Sequence, residues 1–447
     1  MSSPTVFTPT TSTERIAAID IIRGIALLGI LMMNVVGFGL YKAYSDPTNN
    51  GGATGWNLIV WWMNNLFFEG TMRGMFSMLF GAGILIFTAR QTKDLDGSIV
   101  TDLFFRRLLW MVLFGAIHCY LLLWIGDILY AYGIIGMFAF SFRHWAPKRL
   151  FLGAGVLLLF LTAWSVSDYY HLTSNYETSI VANQKKSKGE PISQEETKAI
   201  EKWDEKVKEM KATPEQLKAE MDARSKGYWS IVLHRAPANQ QTESFSLYRY
   251  DFWDVMIMML CGMAFFKMGV LKAAKSKRFY LLMALTGYAI GIPVNYFETL
   301  HIVSNQFSVI SFLQSWVTYD LGRIATTCGH IGLIMLFIKS GWLPFLQKSL
   351  AAVGQMAFTN YITHTLICNV IFLGFGFSMY GKLQRYELYF IVIGIWVFQL
   401  IVSPIWLKYF RFGPLEWMWR SLTYWKKQPM LRVQPVSAGS YPLTNPS

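Results

Sequence analysis

Five residues inside or beside long apolar runs have side-chain types and spacing that could do chemistry: Asn34, Glu69, Arg73, His118 and Asp127. A carboxylate beside an imidazole fixes the ring in one tautomer and raises its basicity, as a general base requires. His118 with Glu69 or Asp127 is such a pair, and Arg73 or Asn34 could stabilise a developing oxyanion. A structural reading stands beside this one. Glu69 and Arg73 are four apart on one helical face and can pair, Asp127 can cap the helix after Gly126, and a lone histidine on a helix is more often a packing residue. Asp320 and Arg323 form a similar pair that could extend a cavity with Asn295, whereas His330 and His364 read as packing histidines. Asp20 and Arg23, three apart, form either a structural pair or a contact for an anionic ligand.

The elements that must position these groups are helices in lipid. Apolar residues make up 53% of the 447, and mean hydropathy is +0.32, which excludes a soluble class. The 33 Phe, 22 Tyr and 17 Trp suit lipid-facing and interfacial positions. A span needs roughly 20 apolar residues. Runs of that kind lie near 19–41, 70–90, 104–124, 127–143, 149–167, 252–272, 279–297, 309–338, 350–378 and 387–409. Trp56 to Phe68 is too short and reads as an interfacial helix at the mouth of a site. The expected fold is an all-α polytopic integral membrane protein of about ten transmembrane helices. Its parts are a disordered tail (1–16), an N-terminal bundle (17–168), a polar insert (169–250), a C-terminal bundle (251–410) and a tail (411–447). Within the insert, Gln194 to Arg224 predicts one or two exposed helices broken near Pro214.

Formal charge is +13, but the insert from Tyr169 to Tyr250 carries 13 Lys/Arg against 12 Asp/Glu, so the excess flanks the apolar runs. A nucleic-acid partner is not expected. Arg90, Lys93, Arg106, Arg107, Arg143, Lys148 and Lys272 fall on one side, which predicts both termini in the cytoplasm and an extracytoplasmic insert. Threading the runs in that sense puts Asn34, Glu69, Arg73, His118 and Asp127 in the outer half of the bilayer. Ionisable groups there cost a few kcal/mol each unless they face a cavity or one another.

The run Ser77 to Gly83 carries small residues suited to close helix contact rather than to a phosphate loop. The four cysteines are isolated in apolar runs with no metal-ligand spacing, so no metal is expected. No zinc signature, nucleotide loop or serine-hydrolase elbow is present.

The segments Ile19 to Ile30, Phe76 to Gly83, His118 with Gly126 to Leu129, Asn360-Tyr361, Arg411 to Trp417, and Arg420 to Tyr424 together form one pattern. On these segments the chain as a whole resembles the YeiB-like family of bacterial membrane proteins (DUF418), a family of unknown function. The first-span pattern is also similar to that of transmembrane acyltransferases, a group that includes sugar O-acetylases and a lysosomal glucosaminide N-acetyltransferase. Many O-acetylases have a histidine eleven residues after the arginine of Arg-Gly; here that position is Asn34. The resemblance implies acyl-CoA (acetyl-CoA) at the cytoplasmic face, held by Arg23, Arg106 and Arg107, and a glycan or lipid-linked acceptor outside. It also implies the bacterial inner membrane, with the lipid bilayer as partner and a homo-oligomer left open. On that reading Glu69, His118 and Asp127 are catalytic, and Asn34, Arg73, Asp320 and Arg323 bind substrate. The rival expectations are a transporter of a lipid-linked or small organic molecule and a scaffold with a purely structural polar cluster.

Overall fold

The computed structural model describes residues 16–89 and 97–432. Most of the 1–16 tail, Arg90, Lys93 and the end of the 411–447 tail lie outside the described residues. The elements up to the insert are α1 (Ala17–Gly39), α2 (Gly55–Met63), α3 (Thr71–Thr88), α4 (Gly97–Tyr120), α5 (Leu129–Ala139) and α6 (Pro147–Ser187). The insert adds α7 (Gln194–Met210), α8 (Pro214–Arg224) and α9 (Tyr228–Gln241). The chain then forms α10 (Phe252–Lys267), α11 (Lys277–Ser304), α12 (Val309–Ser315), α13 (Tyr319–Ser340), α14 (Pro344–Gln355), α15 (Ala357–Phe372), α16 (Leu388–Tyr409) and α17 (Pro414–Tyr424). Among the described residues there is no strand, only an isolated bridge between Phe410 and Leu431.

Among the described residues six helical segments are long and apolar enough to cross a membrane, and α11 and α16 turn Leu285, Phe297, Phe390 and Val397 outward. Such faces suit acyl chains, and the chain is an all-helical membrane protein. Two segments depart from the expected runs. The short Trp-rich helix α2 does not stand apart but passes through a π-helical turn, Asn64–Phe68, and Gly70 in the left-handed region (φ 69°) into α3. No break in the backbone falls near residue 168, where the polar insert is expected to begin: α6 is one unbroken helix of 41 residues, about 60 Å at 1.5 Å per residue. That is about twice the hydrocarbon thickness, so its polar second half continues as the first helix of the insert. Leaving lipid for water requires a change of side chains, not a break in the backbone.

The centre of the bundle is α1, buried along nearly its whole length. It crosses α14 where a Cβ on Gly24 would lie 2.1 Å from the Leu350 carbonyl oxygen. The small-residue run of α3 works in the same way. A Cβ on Gly81 would come within 2.1 Å of Met259 O, and one on Gly262 within 1.9 Å of Met78 O, so α3 and α10 touch backbone to backbone.

The insert packs onto one end of this bundle. Capping boxes at Ser193/Glu196 and Thr213/Gln216 start α7 and α8 on either side of the expected break. Lys211 Nζ meets Asp46 Oδ1 at 2.9 Å and Ser45 Oγ donates to Met210 O at 2.8 Å, tying the insert to the turn after α1. This is the insert end of the bundle; the start of α1 and the tail helix α17 mark the opposite, terminal end.

Candidate functional site

Because α1 runs the depth of the bundle, its polar residues sort by height. Asp20 and Asn34 are fourteen residues apart, about 21 Å along the axis. Two cavities follow that spacing. The terminal-end cavity, about 280 Å³, is lined by Asp20 and Arg23 of α1, Arg107 of α4, Glu416 and Arg420 of α17, and a deeper apolar wall that includes Phe80, Leu108 and Phe358. The insert-end cavity, about 340 Å³, is lined by Asn34, Tyr44, Glu69, Arg73, Trp124, Asp127, Asp251 and Tyr319. Ile128 and Tyr132 line both, so the partition between the cavities is thin and formed by the start of α5.

Beside the partition, His118 is fully enclosed. Its Nδ1 lies 2.6 Å from Asp127 Oδ1, its Nε2 lies 2.7 Å from Thr365 Oγ1, and the Tyr361 ring stands edge-on at 5.0 Å. An ionised carboxylate only accepts, so Nδ1–H donates to Asp127 and Nε2 accepts from Thr365. The second oxygen of Asp127 accepts from Tyr130 N at 2.8 Å and caps α5. The two expectations for Asp127, partner of the imidazole and helix cap, are thus met by its two oxygens at once. The order from the cavity is carboxylate first and imidazole behind it.

Glu69 does not reach His118. It accepts from the Tyr319 hydroxyl at 2.9 Å across the insert-end cavity. Nor does it pair with Arg73, although the i, i+4 spacing permits this. Arg73 is held by two carboxylates, Asp251 Oδ1 at 2.5 Å and Asp254 Oδ2 at 2.6 Å, which outweigh one. Arg323 likewise ignores Asp320: it is buried, bonded to Glu298 Oε2 at 2.8 Å and to Asn295, and neither it nor Asp320 lines the cavity. Their neighbour Tyr319 does.

Of the cytoplasmic arginines expected to hold a donor, Arg23 and Arg107 line the terminal-end cavity, and Arg23 bonds Asp20 at 2.9 Å. Arg106 turns away to Asp102 and the Trp425 ring. Arg420 takes the third place, on a tail helix fixed by Glu416. The Glu416 carboxylate accepts from Phe358 N (2.7 Å), Thr359 N (3.1 Å) and Thr359 Oγ1 (2.6 Å) and so caps α15 from a distance. Trp419 lies 4.1 Å from the Arg107 guanidinium and donates to Arg107 O at 3.0 Å.

Sequence reasoning missed Thr365, Trp124, Tyr132, Tyr319, Asp251, Asp254 and Arg420. A signal existed for two of them: Asp251 and Asp254, three apart at the head of an apolar run, form a carboxylate pair on one helical face.

A family model described as "Protein of unknown function (DUF418)" matches residues 265–426. The chain is 30% identical to the uncharacterised protein YeiB of Escherichia coli K12, over 92% of this chain and 96% of that one. It is 27% identical to the uncharacterised protein YxaH of Bacillus subtilis 168, over 96% and 99% of the two chains. An uncharacterised 39.9 kDa protein of Bacillus acidopullulyticus is 26% identical over 94% of this chain and 96% of its own. No solved structure matches the chain.

Proposed function

This chain belongs to the DUF418 family of YeiB-like proteins, and from that premise we propose that it is a membrane-embedded acyltransferase that moves an acyl group from cytoplasmic acyl-CoA to an acceptor on the extracytoplasmic side. The observation that carries the reading is the pair of cavities, stacked along the bundle axis and parted at Ile128 and Tyr132, with the His118–Asp127 pair beside the partition. In this reading the chain crosses the bacterial inner membrane about ten times with both termini in the cytoplasm.

The terminal end then faces the donor. Arg23, Arg107 and Arg420 hold its phosphates, and its acyl arm lies along the apolar wall toward Tyr361. The acceptor enters from the insert end. Asp127, with His118 sharing it, takes a proton from the acceptor heteroatom and leaves the electron pair there. That atom attacks the thioester carbon, the carbon–sulfur bond breaks, and the sulfur leaves as a thiol carrying the proton. Asn34 and Arg73 line the acceptor side.

Purified protein given radiolabelled acetyl-CoA tests this against His118→Ala and Asp127→Asn. Labelled product from the wild type, reduced at least a hundredfold in both variants, is the expected result. Absence of both product and donor binding removes the proposal. Facing cavities also suit a transporter, and uptake or efflux in vesicles without any dependence on acyl-CoA is the result that favours it.

A further inference from the structure

The two cavities are opposite in charge. At the terminal end three arginines stand against two acids, and both acids are committed, Asp20 to Arg23 and Glu416 to the head of α15. At the insert end Glu69, Asp127 and Asp251 stand against Arg73 alone, and Arg73 is already shared by Asp251 and Asp254. Glu69 is left with a neutral hydroxyl, that of Tyr319, and meets no cation in the ion pairs of the described residues. Arg323, which feels its charge, is bonded to Glu298. An unbalanced carboxylate in a low-dielectric pocket is costly unless a cation joins it.

A second observation points to a ligand independently. The Trp124 side chain lines the same cavity and is almost completely buried, and its indole N–H, beside the Tyr361 hydroxyl, has no acceptor in hydrogen-bond geometry. An N–H donor of this kind calls for an oxygen. The aromatic side chains of Tyr44, Trp124 and Tyr319, which line the same cavity as the carboxylates, also favour an ammonium group. Among the described residues no cluster of three or more His, Cys, Asp and Glu could hold a metal ion, whereas an ammonium group meets a carboxylate and aromatic rings without such a cluster.

We propose that the insert-end cavity binds a primary amine in its ammonium form at Glu69, and that this amine is the acyl acceptor. The inference rests on the acyl-transfer reading and gives it a substrate class. The ammonium passes one proton to the Asp127–His118 pair, and the neutral nitrogen attacks the thioester carbon. The carbonyl electron pair moves onto oxygen, which the Trp124 N–H bonds. Collapse breaks the carbon–sulfur bond and leaves an amide. Of the two protons the nitrogen loses, one ends on the thiol and one goes to water. The uncharged amide has no attraction to Glu69 and leaves.

The test uses the full chain in nanodiscs with three probes of one shape: benzylamine, benzyl alcohol and benzoate. Thermal stabilisation and calorimetry are expected to rank them in that order, with the amine at least about tenfold tighter than the alcohol, the worth of one charge-assisted bond. The preference should disappear in Glu69→Gln and fade once the pH exceeds the amine's own pKa, a readout that needs no variant. Trp124→Phe should keep amine binding and slow acetyl-CoA-dependent N-acetylation. Equal or tighter binding of the alcohol or the acid, or no binding of the amine, overturns the proposal. Amine binding without any transfer would remove the acyltransferase reading and leave the cationic site. Transfer to the alcohol alone would do the reverse.

Discussion

Replacing Asp127 separates chemistry from structure, because its two oxygens do different things. One holds His118 Nδ1 at 2.6 Å in full burial; the other caps α5 through Tyr130 N at 2.8 Å. In Asp127→Asn the amide oxygen can keep the cap while its NH₂ donates to Nδ1, which moves the ring proton to Nε2 and turns the Thr365 bond around. Every bond survives as a neutral one. The loss of charge assistance costs about 1 kcal/mol, the difference between charged and neutral hydrogen bonds. Asp127→Ala removes the bond and the cap together, about 2–3 kcal/mol for the first and about 1 for the second. Chemical denaturation in mixed micelles should therefore place Asp127→Asn about 1 kcal/mol and Asp127→Ala about 3–4 kcal/mol below the wild type. Acyl transfer should behave otherwise. The amide cannot take the acceptor's proton as the carboxylate does, so Asp127→Asn loses roughly 10²–10⁴-fold in rate while remaining folded. Combined with His118→Ala it loses little more, as members of one unit do. A wild-type transfer rate in Asp127→Asn, with only Asp127→Ala unstable, would reduce the pair to a helix cap and refute the catalytic assignment.

Three further outcomes follow from the fold. Gly81→Ala should destabilise by about 1–3 kcal/mol, since its Cβ meets the Met259 carbonyl, while Gly83→Ala, with nothing within 4 Å, should be near neutral; paired unfolding curves decide. Glu416→Ala removes three hydrogen bonds to the head of α15 and should cost about 2 kcal/mol and speed amide exchange in α17, with Glu416→Gln recovering part of both. In the insert, burial pushes the Glu220 carboxyl up, but Arg224 at 2.6 Å and His234 at 2.8 Å outweigh it and hold the group below its ordinary 4.5. Its contribution is therefore complete above about pH 4.5 and lost as the pH falls through the depressed value, and hydrogen exchange across α8 and α9 should rise on acidification below pH 4.5 in the wild type but not in Glu220→Gln.

Helices and membrane residence were legible because both are local properties. A run of some 20 apolar residues decides its own hydrogen bonding and its solvent, wherever its neighbours lie. The small-residue run of α3 and the break near Pro214 were readable for the same reason. The His118–Asp127 pair was within reach because α4 and α5 are joined by a short turn, which leaves few places for Asp127 to go.

Pairing between distant helices was not legible. Glu69 and Arg73, and Asp320 and Arg323, have the spacing of ion pairs, yet Arg73 chose Asp251 and Asp254, and Arg323 chose Glu298. Spacing states which partners are possible, whereas burial and the number of competing carboxylates select among them. Thr365 and Arg420 reach the site from 247 positions beyond His118 and from the tail helix, respectively. The sequence by itself determined that polar groups would sit deep in a helical bundle in lipid. Only the packing of α1 against α3 and α14, and of the tail helix α17 against α4 and α15, decided that they would line two cavities of opposite charge meeting at Ile128 and Tyr132, because a cavity is a property of how helices cross and no single helix encodes it.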